Sequence, residues 1–346
     1  EGQLFSPKNH SVIMMKMVRD LPRDKMIHTA FIPTRFKTEI MTREEMNREK
    51  KKPGQHTSNK VACFTDGSKF GDSSGYGYII RGANIKQQGF YNLGKFTTVY
   101  QAELIAIQEA AYIMLTQGVR NKDIIIYVDN QAAIKTLGSY LVKSQVAAES
   151  KRMVNKLAEY NEVKITWIPG HSGHMGNEVA DRLAKRGTSM KAQGPWNTIP
   201  VAEAVIKMEI TTKIKKMWQT QWTGLTKCRQ TKMMLPTATN NLWRQLAQQP
   251  RSKLNLITQI YTGHNTLKRH LNVMAIKDDG RCNQCEEDDT EETVEHYLTE
   301  CPAFSRNRHQ TLGNFVLNSN DLPGLSLTNI LKFVSQTRRF DFHELN

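Results

Sequence analysis

The chain has 346 residues, with 48 Lys and Arg against 33 Asp and Glu, a formal charge of +15 at neutral pH. That length exceeds an ordinary single domain. A mean hydropathy of −0.54, with no apolar run near the roughly 18–20 residues of a bilayer span, excludes a membrane protein. Five cysteines, an odd number in so long a chain, exclude a disulfide scaffold and favour a reducing intracellular compartment, nucleus or cytoplasm. The opening EGQLFSPKNH lacks the form of a secretory signal, and its start on Glu1 reads as a fragment or a processed chain.

Residues 1–60 hold Pro-marked turns and end in REKKKPGQHTSNK, a connector in which Arg48, Lys50, Lys51 and Lys52 read as a solvated linker or a nuclear address. From Val61 the texture changes. VACFTD, ended by Asp-Gly-Ser, then GYGYIIRG and QQGFYNLG read as strands of a meander. TTVYQAELIAIQEAAYIMLTQG is a long helix closed by Gly118, and KDIIIYVDN a strand buried on both faces. NQAAIKTLG and QVAAESKRMVNKLAEY read as helices, EVKITWIP as a strand and NEVADRLAKRG as a last helix. Residues 61–190 are thus expected to be an α/β layer fold, a mixed five-stranded sheet with flanking helices.

Residues 191–277 carry 14 basic residues against only Glu203 and Glu209, together with Trp218, Trp222 and Trp243. That composition suits a helical region that meets phosphate backbones. Ile210, Ile214, Met217, Trp218 and Trp222 fall at helical spacing, so the tryptophans read as core. Lys213, Lys215 and Lys216 between them are then the nucleic-acid candidates. Residues 278–300 reverse the sign, with ten acids against Arg281. They open the last segment, 278–346, read as a small metal-stapled subdomain and tail. The final 40 residues carry no signal.

Four acids stand out. Asp66 and Asp129 end the first strand and the buried IIIYV strand, where ligands collect in α/β sheets, and Gly67 lets the backbone turn sharply. Glu103 sits on an apolar helix stripe with Ile107, Ala110 and Met114, with no cation one turn away. Asp181 repeats the problem beside Asn177 and Ala184 on the last helix. Alone, Asp129 also reads as a helix cap. Together, acids converging without local cations describe a site for divalent ions, and all-oxygen ligands point to Mg²⁺ or Mn²⁺.

FTDGS, AEL, VDNQAAI and WIPGHSGHMGNEVADRLA resemble, in that order, the signature blocks of ribonuclease H. The resemblance implies that Asp66, Glu103, Asp129 and Asp181 hold two metal ions. It implies that His171 assists turnover from a mobile loop, that Asn177 supports the last Asp, and that Gln131 touches the minor groove of an RNA–DNA hybrid. The implied reaction is endonucleolytic hydrolysis of the hybrid's RNA strand, with two ions roughly 3.5–4 Å apart serving the attacking water and the leaving oxygen. An imidazole moves protons and 2′-hydroxyl contacts set strand choice. The basic handle of some ribonucleases H is short and barely basic here, at LGSYLVKSQVAA. Grip is therefore expected from the basic segment downstream.

Cys282-x2-Cys285-x10-His296-x4-Cys301 is the ligand set of one structural Zn²⁺. The surrounding text resembles the knuckle that follows reverse transcriptase and ribonuclease H in polyproteins of non-long-terminal-repeat retrotransposons. That implies template RNA or target DNA as further partners and a reverse transcriptase, attached or separate. A non-catalytic nucleic-acid-binding module is the alternative reading; the intact acids disfavour it.

Overall fold

The computed structural model describes residues 22–26, 30–40, 59–82, 85–170, 174–191, 199–237, 240–285 and 289–340. These fall into two compact units, with the division between Thr211 and Thr212.

In the first unit, β1 (Ala30–Phe31) and β2 (Lys37–Glu39) precede a hairpin of β3 (Lys60–Phe70) and β4 (Ser73–Gly82), then β5 (Ile85–Gly94). There follow α1 (Val99–Thr116), β6 (Asp123–Val128), α2 (Gln131–Gly138), β7 (Leu141–Val142), α3 (Gln145–Ala158), β8 (Glu162–Trp167) and α4 (Met175–Ser189). The mixed sheet has the order β2-β8-β6-β3-β4-β5. Its hairpin neighbours are antiparallel, while β3-β6, β6-β8 and β2-β8 are parallel. All five expected strands are present. A sixth, β2, comes from residues expected to be connector, where Glu39 pairs with Lys164 across to β8. Three residues are too short to show a period-2 pattern, so only the neighbouring strand reveals them.

Local chemistry explains the elements. Thr98 and Gln101 form a reciprocal capping box that starts α1, and Gly118 follows its end at φ +69°, as expected of a helix stop. Strand β6 is rich in β-branched residues and lies between β3 and β8. Ile124, Ile126 and Val128 are buried, but Ile125 and Tyr127 are only half-buried, so one face is incompletely covered. Residues 22–26 are not free linker either. Asp24 accepts from Ser144, the Val146 amide and Gln101, and Arg23 bridges Val201.

Successive side chains of a strand point to opposite faces, and two glycines show which helix lies on which face. A Cβ on Gly67 would stand 2.6 Å from the Glu103 backbone nitrogen in α1, and one on Gly77 2.5 Å from the Ala184 nitrogen in α4. Gly67 therefore serves close helix approach within a continuous strand, not the sharp turn expected of it. Asp66 likewise is not a strand end, because the hairpin ladder continues to Phe70.

The helix α5 (Glu203–Gly224) contains the division; only Val205 and Ile206 on it are buried. Trp222 is half-buried and donates from Nε1 to the Leu235 carbonyl at 2.8 Å, while Trp218 is 42% exposed. The expected core role thus fails for Trp218. The side chain of Trp243 lies outside the described residues.

The second unit continues with α6 (Arg229–Met234), α7 (Asn240–Leu246), α8 (Arg251–Thr262), α9 (Lys268–Val273), α10 (Val294–Thr299), α11 (Ser305–Leu312) and α12 (Leu327–Thr337). One apolar core joins Met234, Ile257 and Ile260 to Cys282, Cys301 and Phe333. Tyr297 is its hub, with ring centroids 5.0–5.5 Å from those of Phe304, Phe333 and Phe340. The silent C-terminal stretch supplies much of that core. Among the described residues no helix is long and apolar enough to cross a membrane.

Candidate active site

The β3–β6 register pairs Thr65 with Val128. One residue further along each parallel strand stand Asp66 and Asp129. Asn130, not Asp129, caps α2, its Oδ1 accepting from the Ala132 and Ala133 amides at 3.0 and 3.1 Å. That leaves Asp129 to the cavity. Glu103 enters from α1, just over one turn past its capped start, where Gly67 permits the approach. Carboxylate oxygens of Asp66, Glu103 and Asp129 lie within 4.8 Å of one another.

Asp66 is directly opposite Gly77 and so points toward the α4 side. There Asn177 and Asp181, one turn apart, line the same cavity of about 500 Å³, with Gln131 on its rim. Asp181 departs from expectation: Lys185, one turn on, bonds its Oδ2 at 2.7 Å. The pair was legible in the sequence at i and i+4 spacing. Gly170 was also missed; a Cβ there would stand 3.1 Å from Asp129 Oδ2. His171 lies outside the described residues. Lys213, Lys215 and Lys216 are exposed on the second unit's part of α5.

The electrostatics are those of an anionic trap. Burial first, then the charges of Asp129 and Asp181, push the Asp66 carboxyl up to about 8. Glu103 is raised by burial first, then by Asp66 and Asp129. The Gly67 amide, donating to both, opposes this only in part. The Asp181 hydrogen bond raises Lys185 in turn. Glu103 Oε2 and Asn177 Oδ1 are buried without a hydrogen-bond partner. Carboxylates this close must share protons or a cation, and oxygen-only donors suit a hard divalent ion. The residues present therefore fit Mg²⁺ or Mn²⁺.

The RNase H family model matches residues 58–189. A ribonuclease H of Helicobacter pylori strain HPAG1 is 31% identical over 149 residues, spanning 40% of this chain and 98% of the relative.

The chain belongs to the ribonuclease H family.

A ribonuclease HI of Helicobacter pylori strain ATCC 700392 / 26695 is 33% identical over 135 residues, covering 36% of this chain and 91% of its own. The crystal structure of RNase H1 from the halophilic archaeon Halobacterium salinarum NRC-1 shares 23% identity, covers 37% of this chain and 96% of that one, and superposes with a TM-score of 0.31. The ribonuclease H described here is thus a hydrolase, with its acidic cavity inside the matched span.

A second cluster stands in the second unit. Cys282, Cys285, His296 and Cys301 present ligand atoms all within 4.8 Å of one another. Cys282 and Cys301 sulfurs are 4.0 Å apart, and Cys285 Sγ is 3.6 Å from His296 Nε2. Tetrahedral zinc with Zn–S bonds of about 2.3 Å needs similar edges. Thr293 caps α10, which carries His296, and the Cys301 amide donates back to the His296 carbonyl at 2.9 Å. His296 Nδ1 lies 3.4 Å from Glu300 Oε1, the outer contact that orients a metal-bound imidazole. All five cysteines are free thiols. This donor set fits Zn²⁺.

Proposed function

We propose that this ribonuclease H is an endonuclease cutting the RNA strand of RNA–DNA hybrids with two divalent ions. The reading is carried by one observation: three carboxylates from separate elements held within 4.8 Å of one another. When bound, the ions supply Lewis acidity to the attacking water and the leaving 3′-oxygen.

The chain's own residues do the rest. Asp66, Glu103 and Asp129 supply ligand oxygens, and Glu103 Oε2, buried without a partner, is available for this. Asp181 adds a fourth carboxylate, its charge shared with Lys185. Asn177 lines the same cavity, and its buried side-chain oxygen has no hydrogen-bond partner. Gln131, exposed at the start of α2, suits contact with a groove edge. His171 is assigned, on the family pattern alone, to moving a proton at the leaving oxygen.

The exposed Lys213, Lys215 and Lys216 are assigned to gripping the duplex backbone. The Cys-Cys-His-Cys cluster is assigned one structural Zn²⁺. Its position after a ribonuclease H domain supports a place in a retroelement replication protein, with a reverse transcriptase attached or separate and template RNA or target DNA as further partners. Five free thiols agree with an intracellular setting, nucleus or cytoplasm.

The test incubates the chain with labelled hybrid, duplex RNA and duplex DNA, with Mg²⁺ or chelator, alongside Asp129→Asn. Metal-dependent cleavage of hybrid alone, lost in the variant, is expected. Tight binding without cleavage would refute the assignment.

A further inference from the structure

Helix α11 carries Arg308, a side chain with no solvent exposure. Its Nε donates to the Leu298 carbonyl at 3.0 Å, its Nη2 to the Cys301 carbonyl at 2.8 Å, and its Nη1 to the Phe315 carbonyl. All three acceptors are uncharged. Three other arginines of this unit meet carboxylates: Arg339 with Glu292 at 2.7 Å, Arg269 with Glu291 at 2.8 Å, Arg281 with Asp279 at 3.1 Å. Among the described residues Arg308 forms no such ion pair; the Glu300 carboxylate attracts it only from beyond contact distance and is more than half exposed. A guanidinium does not shed its proton, and a buried charge without a partner is strongly unfavourable.

Its neighbour resolves the imbalance. The carbonyl that Arg308 grips belongs to Cys301, itself a member of the Cys-Cys-His-Cys cluster. A divalent ion on three thiolates and one neutral imidazole has a net charge of −1, since thiols bind metal only when deprotonated. We propose that Arg308 is the counter-charge of this metal centre, a positioning residue that matches the loaded cluster's single negative charge and pins the Cys301 loop. The assignment rests on the zinc reading above. It carries a consequence that a structural role alone does not: with thiols protonated and no ion bound, the guanidinium keeps only the weak, solvent-screened attraction of Glu300. The side chain therefore strengthens the loaded state more than the empty one.

The experiment uses the full chain, Arg308→Met and Arg308→Lys. Zinc affinity is read by competition with a chromogenic chelator, and melting is followed with zinc and after chelation. Arg308→Met is expected to raise the zinc Kd roughly 10–100-fold, and to lose clearly less melting temperature relative to the wild type after chelation than with zinc bound, since the carbonyls it leaves without a donor cost the same in both states. Arg308→Lys, which keeps the charge, is expected to hold zinc within a few-fold of the wild type, and it decides the matter should Arg308→Met fail to fold. Equal loss of melting temperature with and without zinc, at unchanged affinity, would overturn the counter-charge and leave only a carbonyl clamp. A wild-type chain that binds no zinc would overturn the zinc reading and this assignment with it, and is recognised because no protein in the series then shows zinc-dependent melting.

Discussion

Replacing Asp66 with Asn should stabilise the metal-free protein while abolishing cleavage. The Asp66 carboxyl is pushed up to about 8 by burial and by Asp129 and Asp181, against an ordinary value of about 3.9. A carboxyl raised in the folded state contributes stability that is full below its unfolded pKa. That stability is lost as pH rises through the folded value of about 8. At pH 7 the protonation that folding demands costs about 4 kcal/mol at most, at 1.36 kcal/mol per pH unit above 3.9. Counter-ions and side-chain relaxation reduce this, and roughly 2 kcal/mol is the expected gain for the neutral, nearly isosteric Asn. For a domain of this size that is a rise of about 4–8 °C in melting temperature. Calorimetry in chelator from pH 4 to 8 measures it. The advantage of Asp66→Asn should be small at pH 4 and grow toward pH 8, and added Mg²⁺ should raise the wild type but barely move the variant. A variant melting at or below the wild type in chelator at pH 7 would refute the argument that crowded carboxylates strain the empty site.

Gly67→Ala places a methyl 2.6 Å from the Glu103 backbone nitrogen, so it should cost roughly 1–3 kcal/mol by overpacking and lower kcat through a displaced Glu103; denaturant melts and steady-state kinetics check both. Changing Lys213, Lys215 and Lys216 together to Gln should reduce the slope of log affinity for hybrid against log salt by up to about 3, with Mg²⁺-dependent stabilisation unchanged. Stripping zinc should lower the second unit's melting. Against a thousandfold excess of free zinc over Kd, the loss is about 4 kcal/mol, and Cys285→Ser should melt independently of zinc.

Much of the first unit was legible because its signals are local. Repeating apolar patterns located five strands and four helices, Gly118 marked the end of the long helix, and Glu103 betrayed itself as a carboxylate on an apolar stripe; the one cap read from sequence, Asp129, gave way to its neighbour Asn130. The Cys-Cys-His-Cys spacing likewise announced its own cluster. Strand β2 was hidden because three exposed residues carry no periodicity; only the edge of β8, and the ion pair of Glu39 with Lys164, make them a strand. Gly67 read as a turn because its real constraint, the backbone of α1, lies 36 positions away in the chain. Whether an acid is free to hold a metal depends on distance: the structure gathers Asp66, Glu103 and Asp129, and ties Asp181 to Lys185. Arg308 gave no sign at all, since charge in a sequence is mute about burial. The residue types present decided what chemistry this chain can perform; which charges meet, and which are left without water, was decided only when the strands and helices closed around them.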